Sequence, residues 1–291
     1  MANTKLIRNK IVSIKNTNKI TKTMEMVAIA KLKNSKKKLL HSLSYLNNIK
    51  NIVSNFCTSN IKYRNHLFIP RSIVKTVAII IITTDRGLCG NLNNNIFKKV
   101  NLFLEKYIKK NVFCKLYIFG MKGHMYFKNK YKTCLKKNIF LNDQINPITL
   151  QPLIKKIITY YVNEKFDKLF IISNKYVSQV KQSPSFLQLL PIITKDSNNL
   201  NFLDSKKWDY IYEPDETITT NYVLKKYILF QCLQCILENI VCEHSARMLT
   251  MKTATDNSKK IMHDLKVLYN KVRQYSITQE LIEIISGSST V

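Results

Sequence analysis

The chain has 291 residues, with 47 Lys and Arg against 18 Asp and Glu, for a formal net charge of +29. At 45% hydrophobic and 10% aromatic it can bury a substantial core, which argues against wholesale disorder, and its length suits one large domain or two ordinary ones. All six prolines and four of the five glycines fall between Pro70 and Pro214, and the fifth is Gly287. This excludes a β-sandwich, a collagen-like chain and a low-complexity linker protein, and it leaves two long ends, 1–69 and 215–286, without helix breakers.

The first end carries a heptad-like seam in steps of four and three. It runs Ile7, Ile11, Ile14, Asn18, Thr21, Glu25, Ala28, Leu32, Ser35, Leu39, Ser42, Leu46, Ile49, Val53, Phe56. The seam is polar from Asn18 to Glu25, and a second stripe, Ile20, Met24 and Val27, is the candidate to take over there. A continuous helix would be roughly 80 Å long at ~1.5 Å per residue. No run approaches the ~18 apolar residues that span a bilayer; the strongest is 77–82. The N-terminus, MANTKLIRNK, has no apolar core of a signal peptide, and it is poor in the Ser and Arg of a mitochondrial presequence.

In the middle, 74–83 (VKTVAIIIIT) has the profile of a buried strand ending in a glycine turn. Residues 92–109 have helical spacing, 112–119 read as a second strand, and GMKGHMYF as a turn with a short helix. Residues 147–163 are helical with Pro near the start, and 168–173 (KLFIIS) form another strand. Residues 176–194 read as a β-excursion or hairpin, because Pro184 and Pro191 limit any helix. Strands alternating with helices predict a largely parallel α/β sheet.

The last end reads Val223, Tyr227, Phe230, Gln234, Leu237, Val241, His244, Met248, Met251, Thr255, Ser258, Met262, Leu265, Tyr269, Val272. Near Ser276 the phase slips to Ile277, Leu281 and Ile284. This helix would be roughly 110 Å long and should project beyond the shorter one. Each seam needs cover, and the simplest solution pairs the two helices as an antiparallel coiled coil; an ordinary helical bundle is the alternative.

Candidate chemistry is sparse. TTDRGLCGN (83–91) is a glycine turn between strand and helix, where α/β folds often bind phosphate, but it lacks both the P-loop and the dinucleotide-binding pattern. A tight structural turn is the favoured reading. Seven cysteines (57, 89, 114, 134, 232, 235, 242) fit reduced thiols in a cytosol-like compartment. Cys232 and Cys235, with Cys242 and His244 beyond, resemble a zinc cluster, but their place in mid-helix favours buried structural thiols. None of the five histidines sits in a catalytic or ligand constellation, so neither a catalytic nor a metal site is expected. Acids gather at Asp204, Asp209, Glu213, Asp215 and Glu216, read either as a solvated loop or as a dock for a basic partner. The net charge raises nucleic-acid binding as a hypothesis, with no recognition module or interleaved aromatics to support it. The joint richness in Lys, Asn and Ile points instead to AT-rich coding drift.

Three long stretches carry a resemblance: IRNKIVSIKNTNKITKTMEMVAIAKL (7–32), TTDRGLCGNLNNNIFKK (83–99), and EHSARMLTMKTATDNSKK (243–260) with LYNKVRQYSITQELIEIISGSSTV (268–291). With SNKY, QLLP and WDYIYEPD between them in collinear order, the chain resembles the γ-subunit family of bacterial F-type ATP synthases from about residue 3 to Val291. A match beginning so near Met1 leaves no room for a presequence. The sequence departs from the family at GLCGN, where a third Gly is common, at Tyr275, and in its many lysines.

The resemblance implies a long antiparallel coiled coil of the N- and C-terminal helices plus a Rossmann-like α/β domain. The parts would be 1–60 and 215–291 for the helices and 70–214 for the domain. It implies a noncatalytic central-stalk rotor, without cofactor, that couples c-ring rotation driven by proton flow to ATP synthesis at catalytic sites on β. The expected partners are the α, β and ε subunits and the c-ring, with no nucleic acid. The expected place is the cytoplasmic side of the bacterial inner membrane, as a peripheral protein.

By the same resemblance, Met24 in KTMEMV faces the moving lever of a β subunit. Arg247, Gln274, Thr278 and Glu280 are coupled to that contact, and Arg273 with Gln274 forms a polar catch for a β loop. Ile277, Leu281, Ile284 and Ile285 form an apolar bearing tip. Tyr210, Glu213 and Asp215 belong to the foot on the c-ring and ε, which turns the acidic cluster from a solvated loop into a docking surface.

Overall fold

The computed structural model describes residues 2–58, 65–131, 135–139, 147–193 and 210–288. The first breaker-free end is one helix, α1 (Ala2–Thr58), and the last is another, α5 (Glu216–Ser288). Between them lie β1 (Thr76–Ile82), α2 (Leu92–Ile108), β2 (Phe113–Phe119), α3 (Met121–Lys130), β3 (Leu135–Ile139), α4 (Pro147–Val162), β4 (Lys168–Tyr176) and β5 (Gln182–Leu190). Two compact units result, Met1–Lys31 with Arg247–Val291, and Leu32–Ala246. Each long helix contributes to both.

The larger unit is built on a five-stranded sheet of order β3-β2-β1-β4-β5. β1 pairs in parallel with β2 and β4, and β2 with β3; β5 is the antiparallel hairpin partner of β4. Alternation in TVAIIII sends Val77, Ile79 and Ile81 into one core with Ile96, Val100 and Leu104 of α2. Ala78, Ile80 and Ile82 enter the other core, with Ile154 and Ile158 of α4, Val53 of α1 and Ile228 of α5. The central strand is buried on both faces, which is why it reads as a continuous apolar run.

β3 was not legible in the sequence. LKKNI has neither alternation nor a β-branched run, and it forms because an edge strand needs only one partner, here β2. Pro184 is accommodated in β5, the opposite edge, where a missing N–H breaks no central ladder.

In the larger unit α1 and α5 run antiparallel: the Ser42 hydroxyl donates to Gln234 Oε1 at 2.6 Å, while Tyr45, further along α1, meets the Phe230 ring, earlier in α5. Here α5 carries more than a seam. Leu229, Cys232, Leu233, Cys235, Ile236 and Leu237 are all buried, because the sequence is apolar nearly all round and both the sheet and α1 cover it.

In the smaller unit the predicted seam of α1 is followed residue by residue: Ile7, Ile11, Ile14, Asn18 and Thr21 are half-buried, and Glu25 and Ala28 are buried. Asn18 Nδ2 donates to the Thr255 carbonyl at 2.9 Å, and the Thr255 and Thr21 hydroxyls meet at 2.9 Å. The Ile20–Met24–Val27 stripe does not take over. Ile20 and Val27 are 59% and 55% exposed, whereas Glu25 is 8% exposed and paired with Lys22 at 3.3 Å. The side-chain to backbone bonds of Asn18 and Thr255 satisfy the polar seam, so no apolar replacement is required.

A part-buried ion pair anchors the sheet. Arg71 Nη1 lies 2.9 Å from Asp167 Oδ1, and Oδ2 accepts from the Lys75 and Thr76 backbone N–H groups at 2.7 and 2.8 Å. Burial opposes ionisation of Asp167, but the Thr76 N–H, the guanidinium and the Lys75 N–H together outweigh it and hold the carboxyl below its ordinary value. Asp167→Ala is expected to cost about 3 kcal/mol, since Arg71 and two backbone donors lose their acceptor. With the folded pKa depressed, the carboxylate's contribution is complete above its unfolded pKa of about 4 and disappears as pH falls through the folded value. Urea unfolding of both proteins at pH 7 and pH 3 checks this: the difference between the two should be smaller at the lower pH.

Candidate functional site

The sheet order reverses between β1 and β4, and in α/β folds ligands bind outside the strand ends at such a point. Here the turn 83–91 occupies that place and is held by its own side chains. Asn93 Nδ2 donates to Thr84 Oγ1 at 2.7 Å, Thr84 Oγ1 donates to the Arg86 carbonyl at 2.8 Å, and Asn93 Oδ1 accepts from the Thr84 N–H at 3.3 Å. Asp85 Oδ1 accepts from the Met121 N–H at 2.9 Å, starting α3. The crevice is packed with Cys89, Leu92 and, from α5, Cys242 and Ala246. Helix α5 thus stands where a nucleotide would enter, and the turn is structural.

The mid-helix cysteines are buried thiols. Burial pushes Cys232 well up and Cys235 up to about 12, so both stay protonated at neutral pH, and Cys242 donates to the Asn174 carbonyl at 3.6 Å. Among the described residues no His, Cys, Asp and Glu group has a metal-binding arrangement. The side chains of Cys57 and Cys134 lie outside the described residues, as do Asp204, Trp208 and Asp209.

The residues singled out by resemblance fall into two surfaces. In the smaller unit, covering of α5 ends at Val272 and Ser276, both half-buried. Arg273, Gln274, Thr278 and Glu280 are exposed, as are Ile277, Leu281, Ile284 and Ile285, at 44% to 68% for the four apolar ones. At about 100° per residue these four share an arc of about 100°, an apolar stripe with Arg273 and Glu280 on one flank, Thr278 on the other, and Gln274 within the arc between Leu281 and Ile285. Ser276 donates to Glu280 Oε1 at 3.2 Å and Thr278 to the Gln274 carbonyl at 2.9 Å. The phase slip read at Ser276 is therefore the change from a face covered by α1 to one that is uncovered. Met24 and Arg247 are half-buried on α1 and α5 of the same unit.

The foot residues belong to the larger unit. The Tyr210 hydroxyl accepts from Asn55 Nδ2 at 2.9 Å and its ring stands edge-on to Phe56. Asp215 is the N-terminal cap of α5: its carboxylate accepts from the Thr217 hydroxyl, and this bond together with the N–H groups at the helix start holds it below the usual carboxylate range. Glu213 is exposed, and its carbonyl accepts from the Thr219 hydroxyl at 2.9 Å. Sequence reading placed all three in one cluster but did not foresee that Asp215 is engaged in capping, although an Asp before ETIT is a helix-start signal.

A family model described as ATP synthase matches residues 3–291. The ATP synthase gamma chain of Buchnera aphidicola subsp. Baizongia pistaciae is 44% identical over 285 residues, spanning 98% of this chain and 97% of that one. The chain belongs to the ATP synthase gamma chain family. The gamma chain of Baumannia cicadellinicola subsp. Homalodisca coagulata is 40% identical over 291 residues and all of both chains. Among solved structures, a chain of the Euglena gracilis mitochondrial ATP synthase superposes with a TM-score of 0.69 at 19% identity, over 99% of this chain and 94% of that one. A chain of the central stalk and c-ring structure from Tetrahymena thermophila gives 0.65 at 21% identity, over 81% and 99%. At such identities the likeness concerns the fold. As a gamma subunit the chain is a noncatalytic central-stalk rotor of an ATP synthase. No helix among the described residues is long and apolar enough to cross a membrane.

Proposed function

We propose that this gamma subunit transmits c-ring rotation, driven by proton flow, to the catalytic sites of the β subunits. The observation that carries the reading is the end of α5, where an apolar stripe with polar flanks continues past the covered seam. Ile277, Leu281, Ile284 and Ile285 would turn against an apolar sleeve of α and β subunits, and Arg273 with Gln274 would catch one β loop by charge-assisted hydrogen bonds. Arg247, Thr278 and Glu280 support that contact, and the Ile20–Met24–Val27 stripe, left outward on α1, would meet the β lever. Residues 1–60 and 215–291 act as the shaft, and 70–214 as the domain that grips ε and the c-ring with Tyr210, Glu213 and Asp215. The complex would hold this subunit on the cytoplasmic face of a bacterial inner membrane.

Asn18, Thr21 and Thr255 face between the two helices, so they shape the pair itself and not the surface it presents. Reconstitution with α and β subunits is the direct test. ATP hydrolysis is expected to rise at least tenfold when the chain is included, and hydrolysis independent of it would overturn the proposal. Removal of residues 277–291 should lower that activity several-fold without preventing assembly, because the covered seam ends before the cut.

A further inference from the structure

The parallel strands β1, β2 and β4 begin at one end of the sheet, opposite the crevice that α5 fills. Two loops lie side by side there, RSIVK (71–75) before β1 and IKKNVF (108–113) between α2 and β2. The Phe113 N–H joins them by donating to the Lys75 carbonyl at 3.0 Å. The second loop is a built turn. The Val112 N–H returns to the Tyr107 carbonyl at 3.0 Å and the Asn111 N–H to the Ile108 carbonyl at 2.9 Å, with Asn111 at φ 55. This is the Schellman end of a helix, with Asn in the left-handed position.

Within each loop the apolar residues divide. Val74 and Val112 turn inward onto the core shared by β1 and α2. Ile73, Ile108 and Phe113 do not, and are 69%, 51% and 77% exposed. Single exposed apolar residues are ordinary, but three at one end, held by a fixed turn and rimmed by charge, mark a surface that meets something. Lys75, Lys109 and Lys110 are exposed around them, and neither loop contains a carboxylate. Lys106 and Lys165 extend the rim. Of the acids nearby, Asp167 is engaged by Arg71, Glu105 lies back along α2, and Glu164 sits in the turn before β4.

We propose that this end of the larger unit rests on an anionic lipid surface. Ile73, Ile108 and Phe113 enter the headgroup layer, and Lys75, Lys109 and Lys110 bond its phosphates. Apolar tips within a ring of cations match negative headgroups over hydrocarbon. The tips project from turns instead of lining a cleft, so their complement has to yield around them, as lipid does. A rotor also moves past whatever does not turn with it. A fluid lipid surface has no preferred angle, so contact with it sets no barrier to rotation. The contact is separate from the tip and the foot and does not rest on their assignment.

Sedimentation of the full-length chain with vesicles of phosphatidylglycerol and phosphatidylcholine is the test. At +29 the chain is drawn to any anionic surface, so the variants have to locate the contact. Lys109→Gln with Lys110→Gln should weaken binding about tenfold or more in low salt, as two cations at a charged membrane imply. Lys122→Gln with Lys181→Gln removes the same charge from the other end of the sheet and should weaken it less than about threefold. Phe113→Trp fluorescence, read against the unsubstituted chain with its one Trp208, should be quenched about twofold by bromines on the lipid acyl chains. Ile148→Trp, as exposed but at the start of α4, should not be quenched. Equal losses from the two lysine pairs, or equal quenching at 113 and 148, would overturn the proposal. The Phe113→Trp chain assembled into the membrane-bound complex gives the last reading. Quenching there supports the lipid contact, and its absence overturns it, with a blue-shifted but unquenched emission pointing to a protein partner instead.

Discussion

Gly120→Ala is expected to destabilise the larger unit by about 4 kcal/mol or more. Gly120 links β2 to α3 with φ 101 and ψ 141, near a region that residues with a Cβ essentially never occupy. A Cβ there would lie 2.4 Å from the Thr83 carbonyl oxygen and 2.7 Å from its carbon, both backbone atoms at the end of β1. Neither can yield, because the Thr83 N–H and hydroxyl are both bonded to the Phe119 carbonyl, at 2.8 and 2.9 Å. Backbone strain and steric overlap therefore add, against a total stability of roughly 5–15 kcal/mol for a typical domain. The urea midpoint measures the loss. A shift equivalent to less than about 1 kcal/mol would mean that β1 and β2 separate more easily than this bonding implies.

Met24→Lys is expected to reduce proton-driven ATP synthesis at least fivefold, and hydrolysis less. Met24 is half-buried on α1 beside exposed Ile20 and Val27, so the present surface offers weak apolar contact that can be made and released in every turn. A lysine at this proposed contact would bond a β carboxylate or carbonyl, and a charged hydrogen bond is worth roughly 1.5–3 kcal/mol. Stabilising one rotational position by about 2 kcal/mol raises the barrier to leaving it, with a limit of about thirtyfold in rate. Met24→Gln, of similar length but uncharged, should stay near the original activity. Synthesis unchanged in Met24→Lys vesicles would remove Met24 from the coupling contact.

Most of the helical architecture was readable locally. The step pattern from Ile7 to Phe56 named the covered face of α1 at each of its positions, because a helix with one covered side must repeat that side every 3.6 residues. The strand TVAIIII and the glycine turn after it were equally plain. β3 was not, since edge pairing asks little of its side chains. Nor was the choice between Glu25 and the Ile20–Val27 stripe, because hydropathy alone favoured the stripe, whereas the position of the partner helix decided for the seam.

Composition and periodicity by themselves determined two long helices and an α/β middle with a largely parallel sheet, and left their pairing open between a coiled coil and a helical bundle, since Gly and Pro exclusion and residue spacing act within a few residues along the chain. The tertiary structure alone decided what each surface is for. It filled the switch-point crevice with Cys242 and Ala246, turned Asp215 into a cap, and left the stripe after Ser276 uncovered. Those outcomes depend on which distant segment arrives to cover a group, and burial of that kind is a property of the packed chain rather than of its local pattern.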